Sequence, residues 1–308
     1  MARKILFSVL IIFSLIACNS SPRNNDDELE VGVMASMDYL PIAVAKERGY
    51  FDEEGVVVTI QKFFSANDRD AAIQSGSLDA SILDYTGGAI QRAGGVELVF
   101  TSQCDATFEL IAGKHVGIKT GSDLANKNFA VARNTVVDFC TDMALENAGI
   151  TQNQVTKSEI NKIPLRLEML RNAKIDLTVL PDPFATIAKS DGNPAIISMK
   201  ELGFQVTGIA FTQSAVNNKK KAIQAFYRAY NRAIEDLQNL PLSDFQDILT
   251  KEIGFPQALA TNAKLPEYKE ASLPQEKDLR AVSSWLKSKT LIPTDFDITS
   301  LISAEFIK

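Results

Sequence analysis

The chain has 308 residues, of which 45% are hydrophobic and 23% are charged, and its formal net charge is −6. This length and composition allow one to three domains with sizeable apolar cores. An acidic balance without a basic patch argues against a nucleic-acid-binding protein, so no nucleic-acid partner is predicted.

The N-terminus has the pattern of an exported protein. Two basic residues precede an apolar run over 5–17 that is too short to span a membrane. The run ends in Leu-Ile-Ala-Cys and resembles the lipobox of bacterial lipoproteins, which implies cleavage after Ala17 and a lipid on Cys18. The alternative is an ordinary signal peptide with an incidental cysteine. We therefore expect a signal peptide over 1–17 and a polar tether over 18–28.

Short apolar runs then alternate with helical patterns. Strands are predicted over 29–34, 56–62, 80–83 and 98–101, and helices over 41–48, 68–75 and 88–93. Pro41 lies in the first turn of the first helix and Gly49 follows its end, as is typical of helix boundaries. This alternation predicts a mostly parallel sheet with helices on both faces.

A second series of the same kind starts near residue 128. Strands are predicted over 128–132, 177–180, 196–199 and 208–211, and helices over 136–148, 164–173, 183–189, 219–238 and 275–287. The last strand is expected to return to the first unit, with crossings near 108–113 and 206–212. The order predicts two lobes: 29–110 with 208–308 form lobe 1, and 111–207 form lobe 2.

Four short phrases now indicate a family. The chain reads MDYLP at 37–41 with AKERGYFDEEG at 45–55, IQSGSLDA at 73–80, GIKTGSDLANK at 117–127 and LTVLPDP at 177–183. In this order they resemble periplasmic binding proteins for sulfonates, nitrate and the thiamine pyrimidine precursor. Asn126, Thr178 and Asp182 replace the usual Gly, Ala and Glu. The resemblance implies an α/β type II periplasmic-binding fold, with a doubly wound, mostly parallel sheet in each lobe and C-terminal helices. It also implies a solute-binding protein for an ABC importer.

Ligands of doubly wound sheets bind beyond the carboxyl ends of the strands, and this rule selects the candidate ligand-binding residues. They are Met37, Asp38, Tyr39, Phe64, Ser65, Asp84, Tyr85, Thr86, Asp105, Arg133, Asn134, Thr135 and Asp182. The rings can stack on a flat ligand, and the carboxylates can accept hydrogen bonds from amino groups. Structural roles remain open: Tyr39 as a core residue, Asp84 as a helix cap, and Arg133 as half of an ion pair across the cleft.

Asp38, Asp84 and Asp182, together with the three aromatic candidates, favour a heteroaromatic ligand similar to the thiamine pyrimidine precursor. The alternative ligand is an aliphatic sulfonate or nitrate, although such a site would favour hydroxyls, amides and basic groups. The helix that begins after Thr135 offers either a cap or an anion-binding N-terminus.

The sequence predicts binding without catalysis, cofactor or metal. It has one histidine, His115, and lacks Cys-x-x-Cys, phosphate-loop and Gly-x-Ser-x-Gly motifs. A related enzyme uses histidine-rich iron chemistry. With a single histidine, this chain lacks the residues for that reaction, so the enzyme alternative is rejected. Cys104 and Cys140 can pair or, as favoured here, remain buried thiols.

The expected location is the periplasmic side of a bacterial membrane, in the cell envelope. The expected partners of this monomer are a small-molecule ligand, an ABC permease and the membrane, through the lipid on Cys18. A sensory lipoprotein without a transporter is the alternative.

Overall fold

Two five-stranded sheets, one in each lobe, organise residues 25–307, which this computed structural model describes. The strands are β1 Glu28–Met34, β2 Val57–Phe63, β3 Ala80–Asp84, β4 Leu98–Gln103, β5 Phe108–Ala112, β6 Asn128–Val131, β7 Thr156–Glu159, β8 Leu177–Pro181, β9 Ala195–Ser198 and β10 Thr207–Thr212. The sheet orders are β2-β1-β3-β10-β4 and β7-β6-β8-β5-β9. One strand in each sheet, β10 or β5, runs antiparallel to its neighbours, and the other four share one direction. The expected two-lobed, mostly parallel α/β architecture is confirmed.

Helices cover both faces of the sheets. In the described part of the chain they are α1 Leu40–Glu47, α2 Tyr50–Glu53, α3 Ala66–Gln74, α4 Tyr85–Ala93, α5 Val136–Asn147, α6 Ile163–Arg171, α7 Phe184–Ser190, α8 Gln213–Asn218, α9 Lys220–Asn239, α10 Gln246–Ile248, α11 Gln257–Ala260 and α12 Glu276–Ser288. None of the helices within 25–307 is long and apolar enough to cross a membrane. Cys18 and most of the expected tether lie outside the described residues, so the lipid anchor stays a prediction.

The longest helix, α9, packs on the first lobe as its sequence predicts. Its apolar stripe is buried and consists of Ile223, Phe226, Tyr230, Ala233, Ile234 and Leu237. A stripe with this spacing covers one side of a helix, and removing it from water provides most of the stabilisation of such a helix.

The C-terminal helix α12 contacts both lobes. It packs on α4 of the first lobe, and its Trp285 lies edge-on to Phe139 of the second lobe, with ring centroids 5.6 Å apart. The Trp285 indole also donates a hydrogen bond of 2.8 Å to Asp142. Cys104 and Cys140 are buried free thiols.

The lobe boundaries differ slightly from those expected. Residues 108–112 form β5 in the second sheet, so the first crossing lies at 104–107 rather than 108–113. Thr207, expected in lobe 2, begins β10 of the first sheet. The sequence shows both antiparallel strands as apolar runs between units, and periodicity alone does not assign such a run to a sheet.

Candidate functional site

The two lobes meet across a closed cleft. The backbone N–H of Met37 donates to the carbonyl oxygen of Asp182 at 3.2 Å, and the N–H of Ile163 donates to that of Phe64 at 3.1 Å. Each bond joins a segment that follows a strand of lobe 1 to a segment of lobe 2. The cleft is therefore bridged by main-chain groups at two places.

A cavity of about 40 Å³ lies between the lobes. A single buried water occupies about 10–15 Å³ measured in this way, so the space suits a compact ligand. Lobe 1 provides Met34, Ser36, Asp38, Ala66, Arg69, Ile82, Asp84 and Thr207. Lobe 2 provides Phe108, Ala132, Thr135, Val136, Val137, Asn161, Ile163, Arg166 and Pro181. The walls are mainly apolar, with a few charged and polar groups.

One cation of the lining is neutralised within lobe 1. Arg69 on α3 pairs with Asp84 at 2.7 Å, and both side chains are buried. Asp70 pairs with the same guanidinium at 2.7 Å. The Asp84 carboxylate also accepts bonds from the Thr86 hydroxyl and the Gly87 N–H, which caps α4. Burial alone would raise the pKa of Asp84, but Arg69 and these bonds hold it below its usual value.

The other cation, Arg166 on α6, is only 1% exposed. Its Nη1 donates to two backbone carbonyls, those of Ile160 at 3.0 Å and Asn161 at 3.1 Å. Among residues 25–307 no carboxylate lies within ion-pair distance of this guanidinium, and burial lowers its pKa to about 10. It is still charged at neutral pH, so the cavity contains a buried, uncompensated positive charge.

Three polar atoms of the lining have no hydrogen-bond partner among the described residues. They are the Ser36 hydroxyl, the Asn161 Oδ1 and the Arg166 Nε. Buried polar atoms without partners are rare because each costs free energy. Three of them around one cavity indicate that a ligand completes their bonding.

Asp38 lies on the lobe 1 side of the cavity. One carboxylate oxygen accepts the N–H of Ala106 at 2.9 Å, and the other accepts the hydroxyl of Thr207 at 2.9 Å. Ala106 belongs to the first lobe crossing and Thr207 follows the second. Burial raises the pKa of Asp38 to about 6 despite these two bonds. Asp38 therefore connects the cavity to the first crossing, through Ala106, and to the end of the second crossing, through Thr207.

Three of the sequence-predicted candidates line the cavity, namely Asp38, Asp84 and Thr135. The Thr135 hydroxyl accepts the N–H of Val137 at 3.2 Å and so caps α5. Thr135, Val136 and Val137 all line the cavity, so the first turn of α5 lies beside it, where the positive end of a helix dipole favours an anion.

The aromatic candidates lie elsewhere. Tyr39 is a core residue whose hydroxyl bonds to Glu252 at 2.7 Å, and Tyr85 packs edge-on against Phe100 in the core of lobe 1. Phe64 is 47% exposed in a surface groove. Side-chain direction reverses between successive strand residues, so a loop position alone could not predict these orientations.

The remaining candidates have local roles at the rim. Met37 and Asp182 line a separate surface groove with Asp105, which accepts the N–H of Lys269 at 2.9 Å. The Ser65 hydroxyl caps α3.

The last three candidates are Thr86, Arg133 and Asn134. Thr86 donates to Asp84, as described above. Asn134 has a left-handed φ of 62°, and its N–H donates to Asp138. Arg133 is exposed and lies 3.6 Å from Glu159 of its own lobe, so the ion pair across the cleft considered for it is not formed.

Neither arginine of the cavity is among the residues predicted from the sequence, because both lie on helices and not in the loops that follow the strands. Arg166 occupies the apolar stripe formed by Ile163, Leu167 and Leu170, all of which are buried. An arginine on the buried face of a helix was the signal that could have identified it, because charged residues are almost never fully buried unless paired.

No group of three or more histidine, cysteine, aspartate or glutamate side chains is arranged to hold a metal ion in the part of the chain from 25 to 307.

The model of a family described as NMT1/THI5 like matches residues 36–244, which is more than half of the chain. A putative ABC transporter periplasmic binding protein of Brachyspira hyodysenteriae is 24% identical over 268 residues, covering 80% of this chain and 77% of that protein.

Solved structures share the fold at low identity. The alkanesulfonate-binding protein of Xanthomonas axonopodis, bound to MOPS, superposes with a TM-score of 0.77 at 16% identity, over 90% of this chain and 98% of that one. The periplasmic nitrate-binding protein of Synechocystis gives 0.73 at 12% identity, over 91% and 86%. The match to the family model covers four strands of the first lobe, both crossings and the whole of the second lobe, while β1 and the helices after residue 244 lie outside it. The chain therefore belongs to the NMT1/THI5-like family and has the fold of the periplasmic binding proteins.

Proposed function

We propose that this chain is a lipid-anchored, periplasmic solute-binding protein that captures a small anion between its lobes for an ABC importer. The proposal that the ligand is an anion rests on Arg166. Its guanidinium is buried in a closed cavity and has no carboxylate partner among residues 25–307. The family and the relative from Brachyspira support the transport role. We also propose that the protein is a monomer and that it binds its ligand without turnover.

The physical argument for an anion is the cost of an unpaired buried charge. Taking a cation out of water costs several kcal/mol unless an opposite charge compensates it. Arg166 lines the cavity and has an unused Nε–H, and guanidinium groups bind oxyanions through strong charge-assisted bonds. The first turn of α5 adds favourable electrostatics at the same cavity.

The heteroaromatic ligand favoured by the sequence has less support. Tyr39, Phe64 and Tyr85 are not among the cavity-lining residues, and Asp84 is already paired with Arg69. The volume of about 40 Å³ is small for a substituted ring. The solved neighbours named for alkanesulfonate and nitrate bind anions, which supports the alternative considered from the sequence.

A thermal-shift screen of ligand-stripped protein tests the ligand class. We expect small sulfonates, carboxylates or nitrate to raise the Tm, while aminopyrimidines and simple amines leave it unchanged, because only an anion compensates Arg166. At a ligand concentration of 100 Kd the stabilisation is about 2.7 kcal/mol, which is easily measured. Stabilisation by an aminopyrimidine alone would restore the heteroaromatic proposal, and recovery of a chemically altered ligand would contradict binding without catalysis.

The lipid anchor is tested separately. We expect Cys18→Ala, expressed in a bacterial host, to move from the membrane fraction to the soluble fraction, because this cysteine is the proposed acylation site. Ser20→Ala is the matched control and should stay with the membranes. Membrane retention of the Cys18→Ala protein would count against lipidation while leaving ligand binding unaffected.

A further inference from the structure

We propose that the ligand is a small zwitterion, with its anionic group on Arg166 and a protonated amino group on Asp38. This inference rests on the proposed capture of an anion in the same cavity and adds a second, opposite charge to the ligand.

The charges of the lining support this assignment. Four charged residues line the cavity, and two of them, Arg69 and Asp84, neutralise each other at 2.7 Å. The other two are Arg166 and Asp38. Within residues 25–307, neither forms an ion pair, and the two partners of Asp38 are an N–H and a hydroxyl. The lining therefore retains one unpaired positive group and one unpaired negative group. A net-neutral ligand with separated charges complements both.

The positions of these two charges explain why a zwitterion would also close the protein. Asp38 follows β1 in lobe 1, whereas Arg166 lies on α6 in lobe 2. A ligand that carries both charges would contact one group on each lobe and so bridge the cleft. A bare anion would compensate only Arg166, and burial beside the Asp38 carboxylate would oppose it.

The unpartnered polar atoms form an independent line of support. Arg166 Nε is a donor, Asn161 Oδ1 is an acceptor, and the Ser36 hydroxyl can act as either. A ligand with acceptors only would leave Asn161 unsatisfied, and a ligand with donors only would leave Arg166 unsatisfied. In addition, each Asp38 oxygen accepts one bond, although an ionised carboxylate has about four acceptor positions. The cavity therefore requires a ligand with both donors and acceptors.

The test is calorimetric binding of matched ligands to ligand-stripped protein. Each zwitterion is compared with an anion in which a methyl group replaces the ammonium and with an amine that lacks the acid: 2-aminoethanesulfonate, propanesulfonate and propylamine, and likewise glycine or 3-aminopropanoate with their methyl and amine counterparts. We expect one of the zwitterions to bind at least about tenfold more tightly than its matched anion, the effect of one charge-assisted bond. The amines should not bind.

The variant Asp38→Asn should abolish this preference while anion affinity is retained or raised, because asparagine keeps an acceptor for Ala106 and loses the charge. The exposed residue Asp244 provides the control variant Asp244→Asn, which should keep the preference. The readout is a ratio of affinities within one protein, so a partly destabilised variant still reports it. Anions that bind as tightly as the zwitterions would overturn this inference and leave anion capture intact. Failure of nitrate and of every sulfonate and carboxylate to bind would overturn both.

Discussion

Replacing Arg166 by methionine is expected to weaken ligand binding by at least roughly 30-fold and to raise the Tm of the ligand-free protein. Methionine has a similar length and fills irregular apolar space, but it removes the buried charge. Loss of one partner of a buried, hydrogen-bonded charge pair costs about 2–5 kcal/mol, or roughly 30- to 5,000-fold in Kd. In the ligand-free protein the same buried charge lowers the stability of the fold, since replacing buried charges by apolar groups is often stabilising by about 1–4 kcal/mol.

Calorimetry and thermal melts of the two proteins measure both effects. Arg166→Lys is the matched control because lysine keeps the charge but not the planar fork, so its affinity should lie between the other two. Wild-type affinity in the methionine variant would contradict a role for Arg166 in binding. A lower Tm of the ligand-free variant would show instead that the bonds to the carbonyls of Ile160 and Asn161 outweigh the cost of the charge.

Asp84→Asn is expected to destabilise the protein by about 3 kcal/mol at neutral pH, the low end of what breaking a buried ion pair costs. The variant leaves Arg69 buried, with Asp70 as its remaining carboxylate partner. Denaturant unfolding measures the loss. Asp70→Asn should cost less, since the Asp70 side chain is 18% exposed and Asp84 remains in place.

The pH dependence of the same comparison follows from the pKa of Asp84, which is held below its ordinary value of 3.8. A carboxyl with a lowered pKa contributes stability above its unfolded pKa and loses it as the pH falls through the folded pKa. The difference in unfolding free energy between wild type and Asp84→Asn should therefore shrink at acid pH. A difference of less than about 1 kcal/mol at pH 7 would contradict this prediction and show that Asp70 alone compensates Arg69.

The fold could be predicted from the sequence because its elements have strong local signals. The stripe of α9 and the apolar runs of β1 and β3 each identify an element without knowledge of its neighbours. By contrast, β7 has the sequence TKSE and lies at a sheet edge, with side chains that are half-buried or exposed. A polar edge strand lacks the apolar alternation by which strands are recognised, so it was missed.

The site could be predicted only in part. The rule that ligands bind beyond strand ends led to Asp38, Asp84 and Thr135, because the chain must pass the cleft at those points. It could not show that Asp84 is neutralised by Arg69, since that pairing depends on how α3 packs on the sheet. The same rule could not identify Arg166. This arginine is important because no carboxylate among residues 25–307 pairs with it, and only the structure shows that.

The two hydrogen bonds across the cleft, from Met37 to Asp182 and from Ile163 to Phe64, involve no side-chain atoms. Any residue except proline can donate the same bond from positions 37 and 163. Substitutions in the cavity can therefore change which molecule is held without changing how the lobes meet. A transporter that recognises the joined lobes would then accept descendants of this protein with altered ligand specificity. Selection could therefore change the imported molecule through single substitutions in the cavity.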